Sequence, residues 1–111
     1  MPTEIVLLSE VEATSAALIR AVASTHPDAT FIEYRGGQIR QFVDTQGVAL
    51  LQIYRSRPVL VRGEAATALC DPPTGFSLWT DMAIPFGDAT TGRALAQTIA
   101  TAVGGVIKDR T

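Results

Sequence analysis

The chain has 111 residues, 47% of them apolar and 18% charged, with a net charge of −2 at neutral pH. This length and composition fit one folded domain with a sizeable core and exclude a disordered chain. The acidic balance argues against a general nucleic-acid binder, which needs a basic surface.

No apolar run approaches the roughly 20 residues that cross a bilayer. The first twelve residues, MPTEIVLLSEVE, lack a basic start and carry three glutamates, which is not a secretory leader. A cytoplasmic protein is therefore expected. The single Cys70 excludes an intrachain disulfide and a cysteine zinc cage, and the single His26 excludes multi-histidine metal sites. No metal or other cofactor is expected.

Taken in chain order, residues 4–9 (EIVLLS) read as a buried strand of β-formers. Thr14 is a candidate N-cap for the amphipathic helix SAALIRAVAST, with Leu18, Ala21 and Val22 on one side and Arg20 opposite. His26-Pro27-Asp28 ends it, because proline pushes the preceding residue out of helical geometry.

Gly36-Gly37 lies between two extended runs and predicts a two-residue hairpin, since the favoured turn needs positive φ at both centres. Folding there pairs Arg35 with Gln38, Tyr34 with Ile39, Glu33 with Arg40 and Phe31 with Phe42. An Arg-Gly-Gly segment that bound RNA would be repeated and disordered; this one occurs once, inside patterned strands. A second hairpin at Asp44-Thr45-Gln46-Gly47, with Gly47 left-handed, sets Ile39 opposite Ile53, Gln41 opposite Leu51 and Val43 opposite Ala49.

The resulting three-stranded meander has two faces. Ile32, Tyr34, Ile39, Val43, Ala49, Leu51 and Ile53 form the expected core face, on which Gln41 is the polar exception and is read as lying at the sheet edge near water. Phe31, Glu33, Arg35, Gln38, Arg40, Phe42, Leu50, Gln52 and Tyr54 form the other.

Arg55-Ser56-Arg57-Pro58 breaks the strand, and residues 59–62 (VLVR) resume it at an edge where proline does no harm. Residues 63–75, with two prolines and two glycines, form the longest irregular stretch, of the kind that often carries function. Residues 76–84 (FSLWTDMAI) read as a strand. A second helix follows, capped by Asp88 or Thr90, with Leu95, Ile99 and Ala102 inward and Gly104-Gly105 as its stop. Residues 106–108 (VIK) supply a last strand.

The order predicts an α+β domain over residues 1–111, with an antiparallel-rich sheet of about five to six strands and two helices on one face. In element order it resembles the ferredoxin-like split β-α-β arrangement, and such a fold hosts unrelated functions.

Function is narrowed mainly by exclusion. Cys70 in LCDPP has no histidine near it in sequence to depress its pKa, so it reads as a small hydrophobe. His26 suits a helix C-terminus, where a cation meets the negative end of the dipole. Asp81 and Glu33 have no evident carboxylate partner. Between Arg35 and Arg62 five arginines face one acid, Asp44, leaving +4 in this window and −6 elsewhere. Such a window is either a solvated face or a surface for an acidic partner or an anionic ligand.

The leading expectation is a non-enzymatic protein-interaction module acting through the open sheet face, with Phe31, Arg35, Arg40, Phe42, Leu50 and Tyr54 as contacts. The partner is another protein or a second copy, with no nucleic acid and no membrane. Toxin neutralisation by an immunity-type protein is one form of it. The alternative is a small-molecule-binding or enzymatic domain with a pocket near the 63–75 loop, lined by Arg57, Arg62 and Cys70.

Overall fold

Ile5, Val6, Leu7 and Leu8 are all buried, so the first strand is covered on both of its faces. That strand, β1 (Thr3–Ser9), sits inside a sheet rather than at its edge. The structure is a computed structural model and describes residues 3–58, 76–85 and 89–110. After β1 come α1 (Ser15–Thr25), β2 (Thr30–Tyr34), a 3-10 turn (Arg35–Gly37), β3 (Ile39–Val43), β4 (Ala49–Tyr54) and β5 (Arg57–Pro58). Then follow β6 (Leu78–Ile84), α2 (Ala89–Val103) and β7 (Val106–Asp109).

The protein is α+β, and its described residues form a seven-stranded sheet in the order β2-β3-β4-β6-β1-β7, with β5 paired to β6. All pairings are antiparallel. Both helices pack on one face. Leu18 and Val22 of α1 and Leu95 and Ile99 of α2 share a single core cluster with Ile5, Leu7, Phe42, Leu51, Ile53, Met82 and Ile84.

Local signals set the helix ends. Thr14 is extended and accepts from the Ala17 amide at 3.2 Å, the N-cap that its hydroxyl predicts. Helix α2 ends at Gly104, whose φ of +67° lets the Gly105 amide reach the Ala100 carbonyl at 2.8 Å. Its buried stripe is Gly92, Leu95, Ala96, Ile99, Ala100 and Val103; Ala102, expected inside, is exposed. Thr90 lies within the helix and is not its cap, and Asp88 lies outside the described residues.

The hairpins differ from expectation in one decisive way. Strands β2 and β3 pair as predicted, Phe31 with Phe42, Glu33 with Arg40 and Tyr34 with Ile39. Their turn is wider than two residues, because pairing stops at Tyr34 and Ile39 and Arg35 joins Gly36 and Gly37 at positive φ. In the next hairpin Gly47 is left-handed at φ +81°, and the Asp44 carboxylate accepts from the Gln46 and Val48 amides, both at 2.9 Å.

Val43 pairs with Ala49 as expected, but a bulge follows and places Leu51 opposite Phe42, Ile53 opposite Arg40 and Tyr54 opposite Ile39. A strand has a period of two, so this one-residue slip reassigns every side chain beyond it.

The faces of β2 and β3 are therefore largely exchanged relative to the sequence reading, while β4 keeps Leu51 and Ile53 in the core and Tyr54 outside as expected, and Val43 is buried as expected. Phe42 is only 2% exposed and stacks tilted on Phe31 at 5.3 Å beneath the helices. Ile32, Tyr34 and Ile39 lie on the opposite face, because the buried set of β4 (Leu51, Ile53) matches Phe42 and Arg40 rather than their neighbours. Phe42→Ala is expected to lower the unfolding free energy by about 3–5 kcal/mol in a urea titration, against less than about 1 kcal/mol for Tyr54→Ala. A larger loss at Tyr54 would mean the opposite facing.

Candidate functional site

Alternation along β2, β3 and β4 sends every second side chain to the sheet face away from the helices. Register then aligns them in rows. Tyr34, Ile39 and Tyr54 stand side by side, and Ile32, Gln41, Gln52 and Ala83 of β6 form the next row. Tyr34 and Tyr54 are 45% and 38% exposed, and they are the two tyrosines of the chain. Ile32, Ile39, Gln41 and Gln52 are half-buried.

Within β2, β3 and β4 neither row carries a formal charge; toward β6 and β1 Glu4 pairs with Ala83, and Glu4, Asp81 and Arg110 share a cleft of about 230 Å³ with Tyr54. Ordinary solvated sheet faces are polar-out, whereas an uncharged surface holding tyrosine has the composition of an interface centre.

The other half of this face is closed. Val6, Leu8 and Trp79 form a second buried cluster, flanked by Phe76 and Val106. Arg57 and Arg110 hold their guanidinium carbons 5.0 and 5.9 Å from the Trp79 ring centroid. The indole N–H donates to Asp81 at 2.9 Å, and Arg110 donates to the same oxygen at 3.2 Å. Arg57 lies 4.0 Å from the other Asp81 oxygen. Cation–π contacts and a shared carboxylate thus form a charged border beside the uncharged rows.

On the helix side Arg40 is buried and donates to the Ala13 carbonyl and, at 2.7 Å, to the Tyr54 carbonyl. It thereby ties the β1–α1 connection to the end of β4. Burial pushes its guanidinium below the ordinary pKa, and the nearby carboxylates of Glu33 and Glu12 oppose that shift. Above it lies a cleft of about 280 Å³ lined by Glu12, Ser15, Glu33, Arg40, Arg55 and Ser56. Two carboxylates there face two guanidiniums, Ser15 donates to Glu33, and Arg55 donates to the Gly36 carbonyl at 2.9 Å. Of the side chains here Ser15 and Glu33 bond to each other, the two arginines donate to main-chain carbonyls, and the buried Arg40 Nε has no hydrogen-bond partner among the described residues.

No protein-family model matches the chain, and a search of curated proteins gives no match. The site is therefore read from geometry alone.

The structure does not bring the six expected contact residues together. Phe31, Arg40 and Phe42 face the helices, and Leu50 packs against the same core at the bulge. Arg35 stands exposed at the hairpin tip with φ +52°, and Tyr54 alone is on the open face. Of the alternative lining, Arg57 belongs to the Trp79 clamp, while Arg62, Cys70 and the 63–75 loop lie outside the described residues. The residues missed from this face are Ile32, Tyr34, Ile39 and Gln41, while Gln52 was placed on it but not counted among the contacts. Gln41 was the available signal, since a glutamine inside an otherwise apolar set marks that set as the outer one.

Arg40→Leu keeps bulk but leaves two carbonyls without their donor, and is expected to cost on the order of 2–4 kcal/mol. Arg35→Gly removes a left-handed non-glycine residue and is expected to raise stability by up to about 1 kcal/mol. Denaturant midpoints measure both; an unchanged midpoint for Arg40→Leu would remove the tie.

Proposed function

We propose that the chain is a protein-interaction module that works through the uncharged half of its open sheet face. The observation that carries this reading is the pair of rows Tyr34–Ile39–Tyr54 and Ile32–Gln41–Gln52, exposed at both tyrosines and free of charge. Tyrosine gives a large rigid contact with a polar tip, and charge depletion lowers the desolvation cost of covering the surface. The occupant is a flat protein surface, apolar at its centre, with donors and acceptors for the glutamine amides and tyrosine hydroxyls. A net charge of −2 and the lack of any cation within the rows weigh against a nucleic-acid strand. The β6–α2–β7 unit, whose strands flank β1, is read as the split β-α-β part of a ferredoxin-like variant, which implies no activity by itself.

A photo-crosslinking amino acid at Tyr54, in the full chain in its native cells, is expected to capture a protein. The same group at Ala23, exposed on α1, is expected to capture none. Equal yields from the two positions would end this reading.

A further inference from the structure

We infer that the cleft beside Arg40 binds a free α-amino acid, a small zwitterion with a carboxylate and an ammonium on one carbon. This site lies on the helix side of the sheet and does not depend on the interaction reading above.

The cleft holds about 280 Å³ between the start of α1 and the β2–β3 turn. Arg40 belongs to its lining and is only 3% exposed. Its guanidinium is fixed by two carbonyls, Ala13 through Nη1 and Tyr54 through Nη2. The remaining donor, Nε–H, is buried with no hydrogen-bond partner among the described residues. A buried donor of a charged group is costly until an acceptor reaches it.

Two more donors meet the same space. Ser15 is the first residue of α1, an eleven-residue helix, so its amide has no intrahelical acceptor and stands at the positive end of the dipole. Arg55 is exposed and commits one nitrogen to the Gly36 carbonyl, which leaves further N–H groups for a ligand. Glycine at position 37 keeps the space open. A Cβ there would lie 3.2 Å from a Glu33 carboxylate oxygen and 3.6 Å from an Arg55 nitrogen, so opposite charges converge over bare backbone.

Charge selects the ligand. Glu12 and Glu33 line the cleft together with Arg40 and Arg55. A phosphate would face both carboxylates, and a simple cation would face both guanidiniums and the start of α1. A zwitterion meets each sign with its opposite. Its carboxylate suits Arg55, the Ser15 amide and the Arg40 Nε–H. Its ammonium suits Glu12, whose carboxylate has no hydrogen bond or ion pair among the described residues, whereas Glu33 already accepts from Ser15. The volume leaves room for a side chain as well.

The experiment is an NMR titration of the full ¹⁵N-labelled chain with the common α-amino acids, added singly, and with acetate, methylammonium and inorganic phosphate. At least one amino acid is expected to shift the Arg40 Nε–H and Ser15 amide signals to saturation at about millimolar concentration or below, while the exposed Ala23 amide on α1 stays fixed. Acetate, methylammonium and phosphate are each expected to bind at least several-fold more weakly than that amino acid. Glu12→Gln, at an exposed position, is expected to weaken the amino acid several-fold and leave acetate no weaker; Arg55→Gln is expected to weaken both.

The inference is overturned if no amino acid gives a saturable shift of the Arg40 Nε–H. It is equally overturned if acetate or phosphate binds as tightly as the best amino acid, or if Glu12→Gln binds that amino acid as wild type does.

Discussion

The structure turns on the bulge at Leu50 in β4. Beyond Val43–Ala49 it moves β4 by one residue against β3, so that Leu51 and Ile53 point the same way as Phe42 and Arg40. Helix α2 fits closely over this point: a Cβ on Gly92 would lie 2.7 Å from the Leu50 carbonyl oxygen. Only glycine allows that approach, and the approach brings Leu95 and Ile99 down onto Leu51 and Ile53 in one cluster. Because sheet side chains alternate, turning Leu51 and Ile53 toward the helices turns Gln52 and Tyr54 to the far face.

Two consequences follow on opposite sides of the sheet. Beneath the helices, a buried guanidinium spans from β3 to the Ala13 and Tyr54 carbonyls, so a charged residue serves as structural bracing. On the far side the two halves diverge. Strand β1 is covered on both faces, and Trp79 of β6 is fully buried beside Val6, while β7 is only half-buried. Strands β2, β3 and β4 keep an outer face of isoleucine, glutamine and tyrosine. Function is assigned to the half whose two tyrosines stand exposed and whose isoleucines are half-buried.

Much of this was legible in the sequence. Thr14, Gly47 and Gly104 encode their caps and turns locally, and the Gly36-Gly37 pair placed Phe31 against Phe42 correctly. What could not be read was facing. The segment FIEYRGGQIRQFV has apolar residues on both alternating sets, Phe31 and Phe42 on one and Ile32, Ile39 and Val43 on the other. Which set is buried depends on helix cover and on one inserted residue between hairpin partners, and neither has a local signature. Arg40 misled for a related reason. Its charge suggested solvent, while its reach to two main-chain carbonyls suits it to the interior.

The most direct measurement is paramagnetic broadening of the side-chain resonances by a soluble nitroxide in dilute solution. The expected result is strong broadening of both tyrosine rings, weaker broadening of the Gln41 and Gln52 amides, and protection of the Phe42 ring and Leu51 methyls. Broadening of Phe42 with protection of Tyr34 and Tyr54 would contradict it.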